Sequence, residues 1–330
     1  MNENQLIELC SDVNAQKGYA PWFYWPAELY SHGKIIRKMG LYPSFLPLCV
    51  YGDHSSGVVG TDVPAKHELE TDAPAYLTFS KEKARIWSEM TSKRAHVIMS
   101  PAVWYRRKMK IRQSKNHRGT VAFCVHSVPG TDTIVDYVKY ARSLLELPEN
   151  FQPVTVCLHM HDVNLGLAKV FLDEGLDVVT AGNTLDYRFI DRFYGILRNY
   201  SFATSNFIGT YTVLATEMGI PFFMHGDSVA FNNHQDKNIP IGLNVGYDGY
   251  PYFQSLHDSF TFQDYDVKIE NKILRDIEER LGIYDSISRI KLSMALWKSL
   301  IYVAFRTQHF QNHFKMKLAA ARRKLFIGTK

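Results

Sequence analysis

The sequence has few cysteines and no long apolar run, and each absence excludes a class of protein. Its four cysteines form no Cys-x-x-Cys pair, which argues against a zinc site or a disulfide framework and predicts reduced, buried thiols. No stretch approaches the roughly 18 apolar residues of a membrane-spanning helix. The N-terminal residues lack the basic start and apolar centre of a signal peptide, so we expect a cytoplasmic protein.

Acidic residues are missing from one long segment. Ser288 to Lys330 contains ten Lys or Arg and no Asp or Glu, with Trp297, Ile301, Phe305 and Phe314 among them. This composition is typical of amphipathic helices on an anionic membrane, and it predicts a peripheral position on the inner membrane face. A packed terminal helix with a solvated basic tail explains it equally well. No nucleic-acid-binding module accompanies the tail, so no nucleic-acid partner is expected.

The composition indicates a globular protein. The chain has 330 residues, of which 46% are hydrophobic and 22% charged, enough for two domains with substantial cores. Residues 1–115 predict an α/β domain, 116–262 a second one, and 263–330 C-terminal helices with a basic tail. The basic stretch Arg106 to Arg118 is interpreted as the linker between the first two.

Strands and helices alternate regularly from Gly119 onwards. Five strands separated by four helices predict a doubly wound parallel sheet with right-handed crossovers. The predicted strands are Thr120–Val125, Val154–Leu158, Leu176–Thr180, Phe202–Thr204 and Pro221–Met224, and the predicted helices are Asp132–Leu145, Val163–Asp173, Leu185–Tyr200 and Gly209–Met218. After Gly226 the chain is predicted to be irregular until a helix at Val267 to Leu281.

Every predicted strand is followed by polar residues or glycine. Because the carboxyl ends of parallel strands meet at one edge of the sheet, these residues predict a binding site for a nucleotide or another phosphorylated ligand. The fourth strand leads into a helix whose N-terminal N–H groups could bind phosphate, although Ser205 or Asn206 could simply cap that helix. The predicted nucleotide-binding residues are His126, Ser127, Thr131, His159, Asn183, Ser205, Asn206, Gly209 and Thr210.

Three local patterns resemble the GT-B superfamily of nucleotide-sugar glycosyltransferases. SNFIGTYTVLATEMGIP, Ser205 to Pro221, resembles the phosphate-binding turn and helix of its donor domains. VCLHMHD, Val156 to Asp162, resembles the strand-end His of bacterial capsule sialyltransferases and teichoic-acid polymerases, with Met160 in place of the usual Pro. YGDHSSG, Tyr51 to Gly57, lies where such enzymes present an acid or His to the acceptor.

This resemblance implies two Rossmann-like α/β domains facing a cleft. It also implies sugar transfer from a nucleotide-sugar donor to a glycan or lipid-linked acceptor in bacterial surface polysaccharide or lipopolysaccharide synthesis. Asp53 or His54 would deprotonate the acceptor. No Asp-x-Asp pattern follows a strand, so we expect the helix dipole to take the place of a metal ion. The transfer that the resemblance implies is expected to be inverting and to use no cofactor. Alternatives are a sugar-nucleotide epimerase, a polyol-phosphate transferase and a non-catalytic nucleotide-sugar-binding partner.

Overall fold

The computed structural model describes residues 1–15, 22–53, 62–126, 130–235, 241–247, 251–262 and 266–306. Three predicted residues lie outside these ranges: the candidate base His54, the candidate nucleotide ligand Ser127 and the candidate membrane anchor Phe314. Within the described residues the fold is α/β, with two parallel sheets, one small antiparallel sheet and C-terminal helices. The predicted fold class is confirmed.

The first parallel sheet has three strands in the order β1-β2-β3. Its strands are β1 (Tyr51–Gly52), β2 (Ala75–Thr78) and β3 (Arg94–Val97), and its helices are α1 (Glu3–Cys10), α2 (His32–Met39), α3 (Lys66–Leu69), α4 (Lys81–Thr91) and α5 (Pro101–Lys108). The stretch interpreted as a linker, Arg106 to Arg118, begins inside α5. The short helix α3 has a buried Glu68.

The second parallel sheet confirms the predicted doubly wound arrangement. Its strand order is β7-β6-β4-β8-β9, and all four pairings are parallel. The strands are β4 (Thr120–Phe123), β6 (Val154–Leu158), β7 (Asp177–Thr180), β8 (Phe202–Ser205) and β9 (Phe222–Met224). The helices between them are α6 (Tyr137–Leu145), α7 (Met160–Asn164), α8 (Leu167–Asp173), α9 (Phe189–Leu197) and α10 (Thr210–Glu217).

Two of the predicted helices in this half differ from the structure. The start of the helix predicted at Asp132–Leu145 is instead a strand, β5 (Thr131–Ile134), and the helix begins only at Tyr137. The helix predicted at Val163–Asp173 is broken between α7 and α8 at Gly166, whose φ of +79° is strained for any residue with a Cβ.

The third sheet is antiparallel and was not predicted. It pairs β5 with β10 (Ala230–Asn233), and β10 in turn with β11 (Gly242–Val245), so the chain after Gly226 is less irregular than expected. Three helices follow: α11 (Pro251–Phe260), α12 (Asn271–Arg280) and α13 (Arg289–Arg306).

Both ends of the described chain cross between the two halves. Leu6 and Cys10 of α1 lie in a hydrophobic cluster with strands of the second sheet, whereas Leu292 and Leu296 of α13 share a cluster with α2. All four cysteines are buried and unpaired, as predicted. Among the described helices, none combines the length and apolar character needed to span a membrane.

Candidate functional site

The strand order creates a topological switch point between β4 and β8. From β4 the chain first builds outward through β6 and β7, and then returns to the other side of β4 to add β8 and β9. Ligands of open α/β sheets bind in the crevice at the carboxyl ends of strands at such a point. His126 follows β4 and Asn206 follows β8, so two predicted residues lie at this crevice.

Ser205 and Asn206 are used by the fold itself. The Asn206 side-chain oxygen accepts the Val125 backbone N–H at 3.2 Å, which ties the ends of β4 and β8 together. The Ser205 hydroxyl accepts the Phe207 N–H at 3.2 Å and lies 3.0 Å from the Tyr211 hydroxyl. Both residues are buried. Replacing them would therefore remove structural hydrogen bonds, and a ligand role for them stays a prediction.

The turn before α10 is also largely satisfied by its own neighbours. The Ile208 N–H donates to the Tyr247 hydroxyl at 3.0 Å, and the Gly209 N–H donates to the Thr212 hydroxyl at 3.1 Å. For the N–H groups of Thr210 and Tyr211, the described residues provide no acceptor. If a phosphate binds this helix, those two groups are its donors.

Thr131 and Asn183 likewise have structural partners. The Thr131 hydroxyl donates to the Asn233 side-chain oxygen at 3.2 Å within the antiparallel sheet. The Asn183 amide donates to the backbone oxygens of Cys10 and Ser11 at 3.2 and 3.3 Å, which fixes the end of α1. Their nucleotide-binding role also stays a prediction.

Three histidines lie together at the ends of β4 and β6. The His126 and His159 rings are stacked with centroids 4.4 Å apart, and the His161 ring centroid lies 5.0 Å from that of His159. His159 is the N-cap of α7, and its Nδ1 accepts the His161 backbone N–H at 3.3 Å. Its Nε2 is buried and has no hydrogen-bond partner among the described residues. His161 is not among the nucleotide-binding residues predicted from the sequence.

The tautomer of His159 follows from these contacts. Burial, followed by the nearby His126 and His161, lowers the pKa of His159 well below its usual 6.5, so the ring is neutral near pH 7. Because Nδ1 accepts a hydrogen bond, the single ring proton is on Nε2. The site therefore contains a buried N–H donor without a described acceptor, a deficit of about 1–3 kcal/mol that a ligand oxygen could relieve.

A cleft of about 620 Å³ lies beside His161, one of the three histidines. It runs between β5 and the α7–α8 turn, and His161, Asp162 and Asn164 line one side of it. On the opposite side, the Thr133 hydroxyl is buried with no partner among the described residues. Thr133 was missed at the sequence level because β5 was assigned to a helix.

The other predicted catalytic residue, Asp53, lies in a buried ionic network at the end of β1. Its carboxylate accepts the Thr78 hydroxyl at 3.0 Å and lies 3.7 Å from the Lys83 ammonium. Lys83 also donates to Glu68 at 3.0 Å, and Glu68 accepts the Tyr76 hydroxyl at 2.9 Å. All five side chains are buried, so Asp53 is at least a structural residue.

No group of three or more His, Cys, Asp or Glu within the described ranges could hold a metal ion.

No protein family model and no curated protein sequence matches this chain. Among solved structures, S. aureus MnaA with UDP aligns with 67% of this chain and 58% of its own, at 10% identity and a TM-score of 0.33. A protein assigned as a UDP-N-acetylglucosamine 2-epimerase from Listeria monocytogenes aligns with 73% of this chain and 61% of its own, at 11% identity and a TM-score of 0.32. The wall teichoic acid polymerase TagF with CDPG aligns with 74% and 57%, at 8% identity and a TM-score of 0.29.

Each of these alignments spans less than two thirds of the neighbour's length. Similarity at this level carries no argument about reaction or ligand.

We expect the free energy of unfolding to decrease as the pH falls below about 6.5. Burial lowers the pKa of His159, His161 and His225, so the unfolded chain binds more protons than the native one below the unfolded value of 6.5. Of the three, His159 is the most deeply buried, so we expect it to contribute most to the loss. Urea denaturation of the wild type and His159→Asn at pH 7 and pH 5 measures it. Equal acid sensitivity in both proteins would contradict the assignment to His159.

Proposed function

We propose that the protein binds a nucleotide-sugar donor at the carboxyl edge of the five-stranded sheet and transfers the sugar to an acceptor. The observation that carries this proposal is the buried Nε2–H of His159, which has no acceptor among the described residues. A phosphate oxygen is an acceptor of the right kind. The negative charge of a phosphate would also strengthen this hydrogen bond, because a charged acceptor binds an N–H more tightly than a neutral one.

Two further features support a phosphate-bearing ligand of nucleotide size. The N–H groups of Thr210 and Tyr211 begin α10 at the end of the strand next to β4, where the helix dipole attracts an anion. The cleft beside His161 has a volume of about 620 Å³, within the roughly 300–1,000 Å³ range of small-molecule sites. Its polar lining of Asp162, Asn164 and Thr133 suits the hydroxyl groups of a sugar.

The chemistry of glycosyl transfer gives these groups distinct roles. Negative charge develops on the leaving phosphate, and donors fixed before the reaction stabilise it there. The His159 Nε2–H would be one such donor. The acceptor, a glycan or lipid-linked saccharide of bacterial surface polysaccharide or lipopolysaccharide, would be deprotonated by a base of the first half of the chain. In this proposal the transfer is inverting and uses neither metal nor cofactor.

One observation bears on the epimerase alternative. The resemblance to epimerases would require a Glu early in the donor-domain helix, whereas the Glu of α10 is Glu217 at its end. Glu217 is buried and binds Arg106 at 2.5 Å and Arg107 at 2.8 Å, so it ties α10 to α5. We therefore propose that the reaction is sugar transfer and not epimerisation. A polyol-phosphate transferase would use the same phosphate donors and differ in the donor it accepts.

We expect His159→Asn to weaken nucleotide binding by about tenfold or more, because that is roughly the contribution of one hydrogen bond to a charged acceptor. Asparagine is among the best N-cap residues, so the start of α7 is preserved while the Nε2–H is lost. The measurement is a thermal-shift panel with CMP, UDP, GDP and their sugars, followed by calorimetry with the nucleotide that binds.

His225→Asn is the matched control. His225 also follows a strand of this sheet, and burial also lowers its pKa. Its Nε2, however, already forms a hydrogen bond with the Ser143 backbone oxygen at 3.1 Å. This variant should retain nucleotide affinity. Unchanged affinity in His159→Asn would contradict the donor site, and binding without slow donor hydrolysis would favour the non-catalytic binding partner.

A further inference from the structure

Helix α13 has two apolar faces on opposite sides. The inner face contains Leu292, Leu296 and Val303, which are buried against the first half of the protein. The outer face contains five large apolar side chains whose exposed fractions run from 40% at Trp297 to 81% at Phe305. We define the outer face of α13 as Ile290, Met294, Trp297, Ile301 and Phe305.

The outer face forms a continuous stripe. Its members are spaced by three or four residues, so they lie on one side of the helix along its 18 residues. Single exposed apolar residues are common on protein surfaces and need no explanation. A stripe that extends along a whole helix, opposite a buried stripe, indicates that this side also contacts an apolar phase.

A loop beside α13 extends the exposed apolar surface. The Tyr42 ring packs against Trp297 with centroids 5.2 Å apart, which seats the loop after α2 on the helix. In this loop Leu41 and Phe45 are each 69% exposed. Leu41 also has a φ of +49°, which is strained for a residue with a Cβ. A strained backbone that exposes a leucine supports a role for this surface in binding.

The charge around this surface has one sign. Arg289, Lys291 and Lys298 lie on α13 and form no ion pair with any described residue. The described chain from residue 286 to 306 has no acidic residue, and the sequence of residues 307–330 adds six Lys or Arg and no acid. Apolar side chains bordered by unpaired cations match the chemistry of an anionic lipid surface.

We propose that the outer face of α13 docks on an anionic membrane surface, with Leu41 and Phe45 beside it. A second copy of the chain is a poorer occupant, because a symmetric contact would bring the cations of both copies together. The docking site is separate from the nucleotide site. It relates to the proposed function because a lipid-linked acceptor would lie at such a surface.

The test is sedimentation of the full-length protein with vesicles. We expect binding to phosphatidylglycerol vesicles at low salt, weaker binding at high salt because the attraction is screened, and none to phosphatidylcholine vesicles. Ile301→Ser with Phe305→Ser should lower the partition coefficient about tenfold or more, since two apolar side chains no longer enter the lipid. Lys291→Gln with Lys298→Gln should lower it about fivefold per charge.

Ile241→Ser with Leu243→Ser is the matched control. Ile241 directly precedes β11 and Leu243 lies in it; they are 68% and 66% exposed, and the substitutions should leave sedimentation unchanged. Normal binding by the Ile301→Ser, Phe305→Ser variant would overturn the proposal, as would a wild-type dimer in analytical ultracentrifugation that this variant converts to monomer. Nucleotide thermal shifts of the same variants should equal those of the wild type, so failure of docking is distinct from failure of the donor site.

Discussion

Lys83→Met is expected to lower the free energy of unfolding by about 3–5 kcal/mol, the range for removing one partner of a buried ionic pair. The Lys83 side chain is 1% exposed, and its ammonium lies between the carboxylates of Asp53 and Glu68. Methionine occupies similar volume, so the substitution leaves packing largely intact and removes the cation. Two buried carboxylates would then lose their shared counter-ion. Urea denaturation followed by circular dichroism measures the loss.

Two further variants test whether the loss of stability comes from the buried charge and not from replacing any lysine of α4. Lys81 lies in the same helix, is 76% exposed and pairs with Asp285 at 3.4 Å. Lys81→Met should therefore change stability by less than about 1 kcal/mol. Adding Glu68→Gln to Lys83→Met should restore part of the loss, because one uncompensated charge is removed. A loss below 1 kcal/mol in Lys83→Met alone would show that the network contributes little.

The five-stranded sheet could be predicted because its information is local. Each strand is an apolar run ended by polar residues or glycine, and a helical stripe separates each strand from the next. The antiparallel sheet could not be predicted in this way. Thr131 in β5 is paired with Asn233 in β10, more than a hundred residues away along the chain. In addition, the four residues of β5 are followed closely by α6, so the strand was included in the predicted helix. Nothing within β5 itself indicates that pairing.

The candidate site shows a different limit of sequence reasoning. The sequence shows that polar residues follow the strands, but a residue's type does not show where its hydrogen bonds go. The Asn206 side-chain oxygen already accepts the Val125 N–H, whereas the buried Nε2 of His159 has no acceptor among the described residues. The burial of Lys83 could not be predicted, because a lysine among other charged residues of a helix is normally exposed to solvent. Only the three-dimensional arrangement separates binding candidates from structural residues.

The Asp53 carboxylate has structural partners: it is buried, accepts the Thr78 hydroxyl at 3.0 Å and lies 3.7 Å from the Lys83 ammonium. These contacts hold it within the fold of the first half of the chain, so it is the weaker of the two candidates for the acceptor's base. A histidine side chain titrates close to neutral pH in its unperturbed form, which suits a general base. We therefore propose that His54 is the base and that Asp53 anchors the chain before it.

His54→Ala is expected to reduce the rate of transfer by ~10²–10⁴-fold, the usual contribution of a general base, while nucleotide affinity stays unchanged. Asp53→Asn should mainly lower stability, because it removes a charge from the Lys83 network and keeps an oxygen for Thr78. Asp62→Asn is the control, since Asp62 is a half-buried carboxylate that accepts the Ser80 hydroxyl at 2.5 Å. The rates should be measured across pH 5–9, because loss of a base removes the acidic limb of the profile, whereas a folding defect scales all rates equally. If Asp53→Asn loses transfer with normal stability and His54→Ala does not, Asp53 is the base despite its ionic contacts.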